Sequence, residues 1–336
     1  MRTPVSDPMR VGSYRIVGRL GSGGMGWVYL GRSRAGRPVA VKVVRPELAA
    51  DQVFRRRFAR EVEAARAVSG AFTAALVDAD PGAEPPWLAT VYVPGPSLTE
   101  AVRSGGPLDE AQLRLLGAGL AEALQAIHAA GVVHRDLKPS NVLLASDGPR
   151  VIDFGISRLG TATPITQLGI VMGTPPFMSP EQVSGAQVGP ACDVFALGGV
   201  LTFAATGRAP FGSGDRVTYR VRQEPPDLSG VPPRLRPLLG HCLAKDPAAR
   251  PRLAEILEEV APDQDDPNAP RWPPPAVAAD IRARERDLDT RQWAADSQAA
   301  ALSVPSCLLL HARALLDAGL TDAMVAGAVG HGRGER

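Results

Sequence analysis

The spacing of apolar residues changes once along this chain, and that change restricts the fold more than any other feature. From residue 14 to about 91, short β-like runs (YRIVGRL, GWVYLGR, PVAVKVV and WLATVYV) alternate with turn residues. One helix interrupts them over 53–68, where Phe54, Phe58, Val62 and Ala65 form a stripe that can pack on a sheet. The other face of that helix carries Arg55, Arg56, Arg57 and Arg60 and reads as a solvated surface. From about residue 97 the spacing is helical, clearest in Leu113, Leu116, Leu120, Leu124 and Ile127, with Gly131 as a C-terminal stop. The stretch VPGPS, 93–97, divides the two patterns. Strands gathered in one half and helices in the other predict an α+β fold of two lobes, small and β-rich then large and helical, with a cleft between them.

A second boundary lies near the other end. Prolines at 262, 267, 270, 273, 274 and 275 are too dense for helix or sheet and predict a linker over 262–275. This sets out an N-terminal extension over 1–13, a globular domain over 14–261 (lobes 14–92 and 97–261), the linker, and a helical or partly disordered tail over 276–336. Helix candidates in the tail are 276–302, 307–316 and 321–329.

The chain's 336 residues suffice for substantial cores. A net charge of +2, from 37 basic against 35 acidic residues, sets up no field that would recruit nucleic acid or a membrane surface. Cys192, Cys242 and Cys307 lie too far apart for a disulfide framework or a CxxC metal site. The N-terminus has no apolar signal core, and the longest apolar run, 299–310, is interrupted by Pro305 and too short to span a bilayer. These features together predict a cytoplasmic protein.

Three motifs carry chemistry. In GSGGMGWV, glycines at 21, 23, 24 and 26 sit between two strand-like runs, so backbone amides from Leu20 through Ser22 and Met25 to Val28 can approach phosphates unobstructed. A dinucleotide-binding GxGxxG would lead into a helix; here WVYL follows, which argues for a β-hairpin lid over a nucleotide. In VAVK, Lys42 ends a strand run within reach of phosphates under that lid, with Glu61 of the following helix as its expected partner. Glu63 points elsewhere around the helix. In HRDLKPSN, followed by DFG, the oxygens of Asp136, Asn141 and Asp153 supply what phosphoryl transfer needs, charge neutralisation and alignment.

In these motifs and their spacing, residues 14–260 closely resemble the protein kinase family, specifically the bacterial eukaryotic-like (Hanks-type) Ser/Thr kinases. The resemblance implies a non-specific Ser/Thr protein kinase that uses ATP with Mg²⁺ or Mn²⁺. It implies that Asn141 and Asp153 hold the metal, and that Asp136 orients the acceptor hydroxyl and takes its proton. Lys138 would neutralise the transferring phosphoryl, and Thr174 would complete a pocket for Ser or Thr. Adenine would meet backbone groups near Val91–Val93, among Ala40, Leu143 and the gatekeeper Thr90. Glu181 and Arg250 would form a buried ion pair, and Asp193 would hold the catalytic-loop backbone. Thr166, Thr161 or Thr163, once phosphorylated, would pair with Arg135 and dock the loop, through a transient homodimer that autophosphorylates in trans.

Val91 stands where the family commonly has a hinge acid, Phe177 where it has Tyr, Ser179 where it has Ala, and VSGAFTAALVDAD replaces the usual stretch after the helix. Partners would be proteins with Ser or Thr acceptors. A small-molecule kinase of the aminoglycoside type shares the HxDxxxxN loop but lacks this glycine loop and an SPE-like segment. A pseudokinase would lack one of the catalytic positions, all of which are filled here.

Overall fold

The computed structural model describes residues 7–68, 71–153, 175–261 and 272–302, leaving aside the side chains at 61, 64, 289 and 291–302. The chain divides into a compact unit up to Glu285 and a second from Arg286 onward. Thr161, Thr163, Thr166 and Thr174, and the helix candidates 307–316 and 321–329, lie outside the described residues.

In the first unit a six-stranded antiparallel sheet forms the small lobe. Its strands are β1 (Arg10–Val11), β2 (Tyr14–Ser22), β3 (Gly26–Arg32), β4 (Pro38–Val44), β5 (Leu76–Asp80) and β6 (Trp87–Val91), in spatial order β1-β2-β3-β4-β6-β5. The register pairs Val28 with Lys42, Lys42 with Leu88, and Ala40 with Thr90, so these side chains share one face. The opposite face buries Tyr14, Tyr29, Val41, Trp87 and Ala89 together. Between β4 and β5 run the short α1 (Pro46–Ala49) and α2 (Gln52–Ala67). Phe58 and Val62 of α2 pack with Val44 and Leu88, so α2 covers the Lys42 face. Asp51 caps α2 by accepting the Val53 N–H.

The large lobe contains α3 (Leu98–Gly105), α4 (Glu110–Ala129), a hairpin of β7 (Val142–Ala145) and β8 (Gly148–Val151), α5 (Pro180–Ser184), α6 (Ala191–Thr206), α7 (Val217–Gln223), α8 (Arg236–Cys242) and α9 (Leu253–Val260). The leucine stripe of α4 is its centre: Leu116, Leu120, Leu124 and Ile127 have no measurable exposure. Gly131, at φ 74°, ends α4 in the left-handed region that glycine enters without a Cβ penalty.

The compact unit extends beyond residue 261. A last helix, α10, spans Pro275–Leu302, and Val277 and Ile281 near its start are each only 3% exposed, within the large-lobe core. Local composition reads 262–275 as a linker and 276 as the start of a tail, but 272–285 belongs to the same packed body as the lobes.

Candidate active site

The glycine-rich turn closes the tip of the β2–β3 hairpin. Gly23 N–H donates to Gly26 O at 2.9 Å, and Gly26 N–H returns to Gly23 O at 3.3 Å. Gly26 packs so tightly on β4 that a Cβ would stand 1.9 Å from Val43 O, whereas Gly21, Gly23 and Gly24 look onto open space. Arg45, just after β4, braces the tip. Its N–H donates to Met25 O at 2.8 Å, its Nη2 and Nε donate to Gly23 O at 3.1 and 3.3 Å, and its guanidinium lies 5.1 Å from the Trp27 ring centroid. Sequence pattern offered no signal for Arg45.

Lys42 Nζ lies 3.0 Å from Asp153 Oδ1, joining β4 to the residue that follows the β7–β8 hairpin. Burial pushes the Asp153 carboxyl upward, but the Lys42 ammonium, with smaller contributions from His134 and Lys138, holds the group below its ordinary value. Glu61 lies in α2, and its side chain is outside the described residues.

The catalytic-loop segment is a knot of side chains on backbone. Lys138 Nζ donates to Asp136 Oδ2 at 2.8 Å, and Asn141 Nδ2 donates to Asp136 O at 2.9 Å and to Oδ2 at 3.3 Å. Asp193, wholly buried at the start of α6, accepts the His134 N–H through Oδ2 and the Arg135 N–H through Oδ1, each at 2.8 Å. His128 Nε2, from the end of α4, meets the same Oδ2 at 2.7 Å. Arg135 adopts φ 63°, a conformation that costs a non-glycine residue about 1–3 kcal/mol. Its N–H is held by Asp193 and its carbonyl by Gln182 Nε2 at 2.8 Å, so two side chains of the large lobe impose the strained turn.

His134 is completely buried, and burial pushes its imidazole below the ordinary value despite nearby carboxylates. The Asp136 N–H donates to its Nδ1 at 3.2 Å, so the neutral ring carries its proton on Nε2 and donates it to Ile152 O at 3.2 Å. One histidine therefore spaces Asp136 from the strand leading to Asp153.

The connector between the lobes rests on β7. Leu144 N–H donates to Pro96 O at 2.9 Å, Ser97 bridges Leu143, and a Cβ on Gly95 would stand 2.0 Å from Leu144 O. Val93 and Leu143 pack in one small cluster with Ala74 and Ala145. Val91 N–H is already taken by Ala75 O at 2.9 Å. Leu20 and Val91 are large apolar side chains left exposed beside the lid and connector.

Glu181 and Arg250 form a buried two-pronged pair, at 2.7 Å between Nη1 and Oε1 and 2.8 Å between Nη2 and Oε2. Arg250 spends its other donors on the carbonyls of Ala191, Ala244 and Lys245.

No group of three or more His, Cys, Asp or Glu that could hold a metal exists among the described residues. A hard divalent cation bound alongside substrate phosphates needs only one or two protein oxygens, and the Asn141 amide and the Asp153 carboxylate fit that need.

A two-lobed body with a glycine lid, a lysine–carboxylate pair and an HRD loop defines a phosphoryl-transfer protein. The protein kinase domain model matches residues 14–260, and the chain belongs to that family. The "Probable serine/threonine-protein kinase PkwA" of Thermomonospora curvata is 56% identical over 274 residues, covering 81% of this chain and 36% of its own length. The serine/threonine-protein kinase AfsK of Streptomyces coelicolor is 52% identical over 287 residues, with 83% and 36% covered. This chain thus spans little more than a third of those relatives. Among solved structures, the PknI kinase domain of Mycobacterium tuberculosis superposes with a TM-score of 0.61 at 30% identity, covering 77% of this chain and all of that one. No helix among the described residues is long and apolar enough to cross a membrane.

Proposed function

We propose that this chain is a serine/threonine protein kinase that transfers the γ-phosphate of Mg-ATP to protein Ser and Thr hydroxyls, including those of its own 153–181 segment. The observation that carries the reading is the Lys138–Asp136–Asn141 knot set beside the Lys42–Asp153 pair. In this reading Asp136 orients the acceptor hydroxyl and takes its proton as the new O–P bond forms and the bond to the departing ADP breaks. Lys138, already 2.8 Å from Asp136, neutralises charge building on the phosphoryl group. Asn141 and Asp153 hold the divalent ion, which when bound supplies further neutralisation of the phosphates.

Lys42 orders the nucleotide phosphates, steadied by Asp153 and Glu61. The lid from Leu20 to Val28 covers them, and adenine lies among Ala40, Thr90, Leu143 and the backbone of Val91–Val93, where the engaged Val91 N–H is not open to it. Thr174 restricts the acceptor to Ser or Thr. Phosphate on Thr166, Thr161 or Thr163 pairs with Arg135. Asp193 and the Glu181–Arg250 pair are structural. The setting is cytoplasmic, with transient homodimers for loop phosphorylation and no nucleic-acid partner.

The test is incubation of the chain, and of Lys42→Met and Asp136→Asn variants, with Mg-ATP labelled on the γ-phosphate and a generic acceptor protein. Label on acceptor Ser and Thr with wild type alone supports the reading. Wild-type label no higher than that of the variants defeats it.

A further inference from the structure

We propose that Trp272, which lies beyond the family-matched residues 14–260, is a positioning residue for nucleotide binding, acting through β7 on the connector between the lobes. This rests on the nucleotide reading given above.

Trp272 Nε1 donates to Ala145 O at 2.7 Å, across 127 positions of sequence. Ala145 is the last residue of β7 and packs with Leu143, Val93 and Ala74. One residue earlier in β7, Leu144 holds the connector: its N–H donates to Pro96 O, and its carbonyl packs so close to Gly95 that no Cβ would fit there. The indole therefore grips one end of the short strand on which the connector lies. Four residues of ladder leave β7 little independent stiffness, so a shift at Ala145 is carried to Leu143 and Val93.

A second contact reaches the same place. Arg284 of α10 meets Glu100 Oε1 at 3.2 Å, while Oε2 of Glu100 accepts the Ser97 N–H at 2.7 Å and so caps α3. Ser97 in turn bridges Leu143. Ala276 lies against Gly105 at the other end of α3, and Val277 and Ile281 anchor the start of α10 in the core. The segment 272–285 thus clasps both elements that flank the connector. The Arg284 pair is exposed, and exposed pairs contribute little, which leaves the half-buried end of the clasp, at Trp272, as its effective part.

The test uses the full chain. Trp272→Phe and Trp272→Tyr keep a ring in place but lose the indole donor, and Ile281→Val loosens α10 without touching Ala145. Calorimetry gives the Kd for Mg-ADP, steady-state labelling of a generic acceptor gives KM for ATP and kcat, and thermal unfolding gives Tm. Loss of one hydrogen bond predicts that the Trp272 variants raise Kd and KM about fivefold, with kcat within twofold of wild type. Ile281→Val lowers Tm and leaves Kd within twofold. The inference is overturned if both Trp272 variants bind Mg-ADP as wild type does, or if Ile281→Val weakens binding as much as they do. A wild-type chain that binds no Mg-ADP overturns the nucleotide reading itself, and this inference with it.

Discussion

At Asp136 the side chain is fixed by two neighbours that both hold Oδ2, so its charge can be removed while its shape is kept. Asp136→Asn preserves the outline but gives up the carboxylate that takes the hydroxyl proton. We expect kcat to fall about 10²–10⁴-fold, the usual worth of a positioned general base, with Mg-ADP affinity unchanged by calorimetry. A parallel loss of nucleotide binding would mean the residue serves the ligand rather than the hydroxyl. Arg45 is the converse case, far from any proton transfer but holding the lid tip by three hydrogen bonds to Gly23 and Met25 carbonyls. Arg45→Ala removes the two side-chain bonds to Gly23 O and keeps the backbone bond to Met25 O, and the expected outcome is a KM for ATP raised severalfold, since each lost bond contributes about 0.5–1.5 kcal/mol. Arg45→Lys, with a single amine in place of the planar fork, is expected to recover only part of that affinity. Steady-state kinetics at varied ATP checks both.

Between elements, the Arg250 fork ties α5 to the start of α6 and to the segment before α9. Breaking such a buried pair leaves an uncompensated carboxylate, so Arg250→Ala is expected to lower unfolding free energy by about 3–5 kcal/mol in a denaturant titration. The pair also predicts an acid limit. Burial raises the Glu181 carboxyl, yet the Arg250 bonds bring it below its ordinary value in the folded chain. The unfolded chain then binds the proton more readily. Stability from this pair is complete above the unfolded carboxyl value, near 4.3, and is lost as pH falls through the lower folded value. Arg250→Ala should flatten that part of the stability curve.

The helices α2 and α4 were legible because their stripes repeat over several turns, and α2 runs within a residue of the expected 53–68. Strand β5 was not legible, because Asp78 and Asp80 are strand-averse residues and a register shift between Leu76 and Asp78 breaks the alternation. The β7–β8 hairpin has only four residues per strand, too few for a period. The catalytic-loop residues were legible because phosphoryl transfer demands oxygens and a lysine at fixed spacing. Arg45, His128, Gln182 and Trp272 act through a few contacts to distant backbone or a buried carboxylate, which leave no periodic trace.

For the molecule as a whole, the decisive quantity is where its stable body ends. Prolines over 262–275 mark a boundary by composition, yet Val277 and Ile281 are nearly as buried as residues of the leucine stripe in α4. Two apolar positions one turn apart in a charged helix make no amphipathic stripe, so only the packing reveals them. Burying a Val or Ile side chain contributes about 1.5–3 kcal/mol, an upper figure because unfolded chains already bury some surface. Against a typical domain stability of about 5–15 kcal/mol, losing both is a large fraction. A chain ended at Ala261 is therefore expected to unfold at clearly lower denaturant than the full chain, with apolar core surface left bare where α10 packed. A chain ended at Glu285 keeps Trp272, Val277, Ile281 and Arg284 and is expected to match the full chain in midpoint for this unit. Equal midpoints for the Ala261 and Glu285 chains would show that α10 adds nothing to the fold, and would return the boundary to the prolines.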